Sequence, residues 1–84
     1  KRLLKMKFRV FVSFREGILD PEAEAIKKTI KNIGYTEIKD LSKGKFFDIN
    51  LESKKKDSKK IIEEISEEVL SNPIIENFKI NILD

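Results

Sequence analysis

Four glutamates in the second half of the chain come closest to the spacing of a reactive site. They form two adjacent pairs, Glu63–Glu64 and Glu67–Glu68, four residues apart. On a helix this spacing brings carboxylates onto one face, where they could form a carboxylate site. The pair Lys59–Lys60 precedes them, and mixed charges of this kind are typical of a solvated helix face. We therefore interpret the glutamates as a surface feature.

Two kinds of reactive residue are missing, because the chain contains no cysteine and no histidine. Disulfides, thiolate nucleophiles and zinc–thiolate sites are thereby excluded. Amide transfer from glutamine commonly uses a cysteine nucleophile paired with a base such as histidine. Transfer of phosphate from ATP needs a phosphate cradle, but Gly17, Gly34 and Gly44 are isolated. We predict no catalytic residue, no metal site and no cofactor bound by this chain alone.

A run of basic and aromatic residues, Lys43–Phe47, is similar to the signature of an RNA-recognition module. Such modules stack bases on aromatic side chains two residues apart, on one face of a strand. Phe46 and Phe47 are adjacent and should point to opposite faces, and Asp48 would repel phosphate. RNA binding therefore remains a minor alternative. A domain of the same topology that senses a small molecule is another, with Gly17 as its one loop signature.

Length and charge indicate one small domain over residues 1–84, with residues 1–5 as a disordered or extended leader. Residues 1–15 carry six basic side chains and no acidic one, whereas the rest carries twelve basic and fifteen acidic. The basic excess is thus confined to one strand, which argues against nucleic-acid binding. No apolar run approaches the roughly 18 residues of a membrane span. We expect a cytoplasmic protein without membrane or nucleic-acid partners.

The elements that must position any site begin with a strand and a well-marked helix. Residues 6–15 alternate between apolar and polar side chains, as a half-buried strand does. Asp20 and Pro21 are suited to begin a helix, and Gly34 is suited to end it. The apolar stripe predicted for this helix consists of Ala23, Ile26, Ile30 and Ile33.

Two further strands, a helix and a final strand complete the predicted order. Residues 36–41 are predicted as a short strand, and residues 46–52 form a clearer one after the turn at 42–45. Asp57 or Ser58 is expected to cap the second helix, which ends at Asn72–Pro73. The apolar stripe predicted for this second helix consists of Ile61, Ile62, Ile65 and Val69. A last strand carries Phe78, Ile80 and Ile82 on one face.

The order β-α-β-β-α-β predicts an α+β two-layer sandwich, with both helices on one face of an antiparallel sheet. The other sheet face would be uncovered. It would bear Arg9, Phe11, Phe46 and Asp48, with Leu83 at its margin. Aromatic side chains on an uncovered face suggest a contact surface, so we expect an interface that includes these four residues and Lys45. Scattered surface apolar residues, or a misassigned strand face, are the alternatives.

Three segments in register resemble the PurS-type small subunit of phosphoribosylformylglycinamidine synthase. They are Leu19–Asp20–Pro21 with its helix and Gly34–Tyr35, Gly44–Lys45–Phe46 with the following strand, and residues 69–78, Val-Leu-Ser-Asn-Pro-Ile-Ile-Glu-Asn-Phe. The resemblance extends over roughly residues 7–83. The chain departs from the family pattern at Ser42, where an arginine is frequent, at Ser66, where a cysteine is common, and at Glu68, where a basic residue is usual. A role for that arginine therefore cannot be carried over.

This resemblance implies a non-catalytic subunit of a three-part enzyme of purine biosynthesis. The whole complex would be an ATP-dependent, glutamine-hydrolysing ligase that uses ATP, magnesium and glutamine. This subunit would bridge a glutaminase subunit and a synthetase subunit and help ammonia pass between them. Self-association to a dimer or a tetramer is also expected, because a domain of this size has a marginal core.

Overall fold

The computed structural model describes residues 4–53 and 57–83. Within these ranges three strands alternate with two helices, and the second helix continues into a π-helical turn. In chain order the elements are β1 (Leu4–Phe14), α1 (Pro21–Asn32), β2 (Gly44–Ser53), α2 (Ser58–Ile65), the π-helical turn (Ser66–Leu70) and β3 (Glu76–Leu83). The strand β1 thus begins at Leu4, which lies within the predicted leader (residues 1–5). Residues 1–3 of that leader lie outside the described residues.

The three strands form one antiparallel sheet in the order β2-β1-β3. Phe8 in the central strand lies opposite Ile49 of β2 on one side and Ile82 of β3 on the other. The pairing of β1 with β2 runs without interruption from Leu4 opposite Ser53 to Ser13 opposite Gly44. The central strand therefore makes every strand–strand contact of the described sheet.

The core lies between the central strand and the second helix. Phe8, Val10 and Val12 alternate along β1, and all three are almost fully buried together with Ile62 of α2. Further apolar side chains surround this cluster: Met6, Phe47, Ile49, Leu51, Leu70, Phe78 and Ile80. The predicted α+β class, with two helices beside an antiparallel sheet, is confirmed.

The first helix begins as predicted but is less deeply packed than its apolar stripe implied. Asp20 accepts hydrogen bonds from the backbone N–H groups of Glu22 and Ala23, at 3.1 and 3.2 Å. Pro21 occupies the first turn, and Gly34 follows the helix at φ +113°, a conformation that favours glycine. Of the stripe, Ala23 alone is buried, and Ile33 is 68% exposed. The stripe is therefore only partly packed, with Ile30 half-buried and Ile26 exposed like Ile33.

The second helix departs from prediction at both ends. It begins at Ser58 after Asp57, but neither side chain makes a capping hydrogen bond within the described residues, and the buried Ser58 hydroxyl has no hydrogen-bond partner among them. At the other end the Ser71 N–H donates to the Ser66 carbonyl, five residues back. This wider turn changes the phase of the helix, so Val69 is rotated out of the stripe and is 73% exposed. Its predicted place in the core is wrong.

The predicted strand at residues 36–41 is also wrong. This segment contains a turn at Thr36–Glu37 and no regular structure up to Lys43. Its half-buried apolar residues, Ile38 and Leu41, are three positions apart. Because side chains alternate along a strand, those two residues cannot face the same side of one. The described sheet therefore has three strands where four were expected.

The molecule is elongated for a chain of this length. Its Cα radius of gyration is 17.2 Å, and its principal extents are 60, 26 and 14 Å. A compact domain of 84 residues would have a radius of gyration of about 12 Å. Within the described ranges, no helix is long and apolar enough to cross a membrane. The elongated form leaves much of the apolar surface without cover from the chain itself.

Candidate functional site

The uncovered face of the sheet brings together four of the five predicted interface residues. In the register of β1 and β2, Arg9 lies directly opposite Asp48, and Phe11 lies directly opposite Phe46. All four belong to the set of alternate positions that points away from the core residues Phe8 and Val10. We call these four residues the open-face cluster.

An arginine–aspartate pair forms the polar half of the open-face cluster. The Arg9 Nε donates to Asp48 Oδ1 at 2.7 Å, and Arg9 Nη2 donates to Asp48 Oδ2 at 3.0 Å. This bidentate geometry fixes the orientation of the guanidinium plane relative to the carboxylate plane, and bidentate pairs are stronger than pairs joined by a single hydrogen bond. Hydrogen bonding to Arg9 lowers the pKa of Asp48, and the same bonds raise the pKa of Arg9. Both groups remain accessible to solvent, with side chains 35% and 48% exposed.

Two phenylalanines form the apolar half of the open-face cluster. The ring centroids of Phe11 and Phe46 are 6.1 Å apart, with planes tilted by 54°. The Arg9 guanidinium carbon lies 4.4 Å from the centroid of the Phe46 ring, within the range of a cation–π contact. Both rings are exposed, by 40% and 54%. The cluster is therefore an amphipathic surface whose four side chains contact one another.

Lys45, the fifth predicted interface residue, lies apart from the other four. Lys45 is two residues from Phe47 and therefore points to the same face of β2, the side of the core. Its Nζ lies 5.8 Å from the centroid of the Phe47 ring. Phe46 and Phe47 thus point to opposite faces, as predicted. Leu83 is on the open face, opposite Lys7 and half-buried. An interface on the open face therefore does not include Lys45.

Residues 71–75 connect the π-helical turn to β3. Hydrogen bonds from Arg15, which the sequence did not predict, hold this connection in place. The Arg15 guanidinium donates two hydrogen bonds to the Pro73 carbonyl, at 3.1 and 2.7 Å. The backbone N–H of Arg15 donates to the Ile75 carbonyl at 2.8 Å. Within the turn, the Asn72 side-chain oxygen accepts from the Ile74 N–H at 3.1 Å. The Asn-Pro pair was recognisable as a helix stop, but nothing local to Arg15 indicated its partner 58 residues away.

A cleft of about 510 Å³ lies at the start of α1, between the loop after β1 and residues 40–43. Gly17 is in its wall. The Lys43 Nζ lies 3.5 Å from an Asp20 carboxylate oxygen and 3.8 Å from a Glu22 carboxylate oxygen. These ion pairs attach the irregular segment to the beginning of the helix. Lys43 and Asp20, two of the charged residues that line the cleft, are thus paired with each other.

Comparison with known proteins places these features in a family. The sequence model of the PurS family, described as phosphoribosylformylglycinamidine (FGAM) synthase, matches residues 7–84. The PurS subunit of phosphoribosylformylglycinamidine synthase from Bacillus subtilis is 30% identical over 73 residues, which are 87% of each chain.

Solved structures agree with the sequence comparison. A structure of B. subtilis PurS has a TM-score of 0.87 at 28% identity, covering 94% of this chain and 99% of the other. The matching chain of the structure of PurLQS from Thermotoga maritima has a TM-score of 0.83 at 27% identity, covering 95% and 99%. The fold and the sequence thus agree, and this chain belongs to the PurS family of FGAM synthase subunits, which act in purine biosynthesis.

Proposed function

We propose that this chain is a non-catalytic bridging subunit of FGAM synthase. In this role it joins a glutaminase subunit to an ATP-dependent synthetase subunit and helps ammonia pass between them without loss to water. Family membership supports the assignment to the enzyme, and the T. maritima structure of PurLQS contains a chain of this fold. The lack of cysteine and histidine in the sequence supports the proposal that this chain has no catalytic activity of its own.

The open-face cluster is the observation that carries the bridging role. Phe11 and Phe46 expose aromatic surface on a sheet face that no helix of the described chain covers. Arg9 and Asp48 border these rings and satisfy each other's charge. An apolar centre with a polar rim is the arrangement found at protein interfaces. We propose that this surface contacts protein, either a second copy of the chain or another subunit.

Self-association forms part of the same proposal. The elongated shape leaves Ile33 and Ile82 exposed by 68% and 55% in addition to the two phenylalanines. A monomer with so much uncovered apolar surface gains stability when a second copy buries it. A dimer, or a tetramer made from two dimers, is the assembly that we propose.

The test of bridging separates ammonia transfer from the synthetase reaction itself. The chain is mixed with the glutaminase and synthetase subunits, and FGAM formation is measured with glutamine and, separately, with an excess of ammonium salt. We expect that omitting the chain abolishes most glutamine-dependent synthesis and leaves ammonia-dependent synthesis largely intact. Phe46→Glu is expected to weaken assembly, whereas Lys28→Glu, a charge reversal on exposed α1, is the matched control.

Two results would contradict the proposal. If omission lowers both activities by the same factor, the chain acts on the synthetase reaction and not on transfer. If full glutamine-dependent synthesis persists without the chain, bridging is unnecessary. Recovery of the two subunits from native extract with glutamine and ADP present would independently support the proposed partners.

A further inference from the structure

The connection between the π-helical turn and β3 carries the most exposed large apolar side chain of the described residues. Ile74 is 82% exposed, and Val69, in the π-helical turn just before the connection, is 73% exposed. Pro73, which precedes Ile74, is exposed as well. We call Pro73 and Ile74 the apolar turn. A single exposed isoleucine is ordinary on a protein surface, but this one stands on an unusually well-bonded backbone.

Hydrogen bonds constrain the backbone on both sides of Ile74. The Asn72 carbonyl accepts from the N–H groups of Ile75 and Glu76, at 3.1 and 2.7 Å. The Glu76 carboxylate accepts from the Asn72 N–H at 2.7 Å, and the Asn72 side-chain oxygen accepts from the Ile74 N–H at 3.1 Å. Since proline has no N–H, every backbone N–H group of residues 72–76 is used within the connection.

Arg15, directly after β1, fixes the same connection from outside. Its guanidinium and its backbone N–H bond to the carbonyls of Pro73 and Ile75, as described above. Loops that only connect two elements are generally more mobile than those elements. A side chain on a constrained backbone loses less conformational freedom when it binds, because less of the chain has to be ordered. The apolar turn therefore presents Ile74 in a form suited to docking.

Acidic side chains border the apolar turn. Glu67 and Glu76 line, together with Pro73, a cleft of about 280 Å³. Neither carboxylate forms an ion pair with a basic side chain of the described residues. Arg15 lines the same cleft and offsets one of these charges, but Glu68 is exposed nearby in the chain and adds another. A complementary partner would thus combine an apolar socket with basic side chains at its rim.

We infer that the apolar turn docks into an apolar socket with a rim of lysine or arginine on another subunit of the enzyme. This inference rests on the proposed function, because it takes the partner to be one of the subunits that the chain joins. It adds a second contact surface to the open-face cluster. Joining two proteins requires two such surfaces, and the open-face cluster supplies one of them.

The charges around the apolar turn argue against a second copy of the chain as its occupant. In a two-fold contact centred on this turn, Glu67 and Glu76 would lie against the same residues of the other copy, and like charges brought together are unfavourable. A contact with a different part of a second copy would be head-to-tail. Such contacts build rings or open fibres, and not a dimer or a tetramer made from two dimers.

A binding measurement with one substitution tests the docking. The parent and Ile74→Asp are compared by surface plasmon resonance on purified glutaminase subunit and, separately, on purified synthetase subunit, with glutamine and ADP present. Aspartate is compatible with a solvated turn but would bury an unpaired charge in an apolar socket. We expect Ile74→Asp to lower the affinity for one of the two subunits by at least about tenfold. Ile33→Asp, the matched control at an isoleucine that is 68% exposed, should bind like the parent.

A charge reversal tests the basic rim of the socket. We expect Glu67→Lys to associate more slowly with the subunit that Ile74→Asp fails to bind. Raising the salt concentration should slow association of the parent more than that of Glu67→Lys, because salt screens the attraction. Lys28→Glu, on exposed α1, is the matched control and should keep the association rate of the parent.

Amide hydrogen exchange of the free protein provides a readout that does not depend on any partner. The amides of Ile74, Ile75 and Glu76 should exchange slowly in the parent. Arg15→Lys keeps the charge but cannot form both guanidinium bonds, and we expect it to speed exchange of these amides by at least about tenfold. Fast exchange in the parent would contradict the constrained turn and overturn the inference.

The outcomes separate this inference from the proposed function. Unchanged affinity of Ile74→Asp for both subunits, with the parent bound, would overturn the inference and leave the proposed function standing. A parent chain that binds neither subunit would overturn both. Lower oligomeric mass of Ile74→Asp without any loss of affinity would assign the apolar turn to a contact between copies, against the inference.

Discussion

Phe11 and Phe46 are the residues whose change tests the open face most directly. Glutamate at either position would be tolerated on a solvated surface, but in a contact it would bury an unpaired charge. We expect Phe11→Glu and Phe46→Glu to lower the oligomeric mass and to leave the helical circular-dichroism signal unchanged. Light scattering beside the parent and Lys28→Glu measures the effect. Unchanged mass in both phenylalanine variants would exclude this face as the contact that holds the oligomer.

The Arg9–Asp48 pair makes a prediction about pH. Because hydrogen bonding to Arg9 lowers the folded-state pKa of Asp48, the pair stabilises the fold above the unfolded value of about 3.9. That contribution is lost as pH falls through the lowered folded pKa. We expect parent and Asp48→Asn to differ in melting temperature at pH 7 and to converge as the pH is lowered below the unfolded value of about 3.9. A difference that stays constant over this range would show that the pair contributes nothing through its charge.

The second helix carries a prediction at the scale of an element. Ile62 is fully buried against β1, whereas Ile65 is only partly buried. Ile62→Ala should therefore cost about 2–5 kcal/mol of unfolding free energy, and Ile65→Ala less. Val69→Ala, at the residue rotated outward by the π-helical turn, should change stability by no more than about 0.5 kcal/mol. Urea unfolding of the three variants checks the order, and an equal loss at Val69 would contradict it.

The same elements show how far the sequence could predict the fold. The alternation in β1 depends on a repeat of two residues, and the Asp20 cap depends on neighbouring residues, so both were visible locally. The wider turn at Val69 is closed by Ser71, whose N–H and hydroxyl both donate to the Ser66 carbonyl, at 3.0 and 2.7 Å. The regular apolar spacing of the helix did not indicate this change of phase.

The candidate site was partly predictable for a similar reason. The alternation of side chains along a strand was enough to place Arg9 and Phe11 on one face. The predicted topology placed Phe46 and Asp48 beside them, on the neighbouring strand. The stacking of the Arg9 guanidinium on the Phe46 ring required the actual register and rotamers. Lys45 was also predicted at this interface, but it lies on the other side of β2, beside Phe47. The alternation of side chains along a strand separates Lys45 from Phe46 and Asp48.

At the scale of the whole molecule, we expect the isolated chain to be catalytically silent. It lacks the cysteine and histidine that amide transfer from glutamine commonly uses, and its glycines do not form a phosphate cradle. Purified protein should release no glutamate from glutamine and no phosphate from ATP above the buffer blank. Glutaminase activity that co-elutes with the pure chain through two successive columns would contradict this prediction.

The central position of β1 has a consequence for how the chain reaches its fold. This strand is synthesised first, but the partners of Phe8 are Ile49 and Ile82, which are synthesised much later. Closing such long loops costs entropy before any contact compensates for it, so high contact order slows folding. Until residue 82 has left the ribosome, β1, the most apolar of the three strands, has at least one edge without a partner strand. Chaperone binding to nascent chains should therefore concentrate on residues 8–12 and end when β3 becomes available.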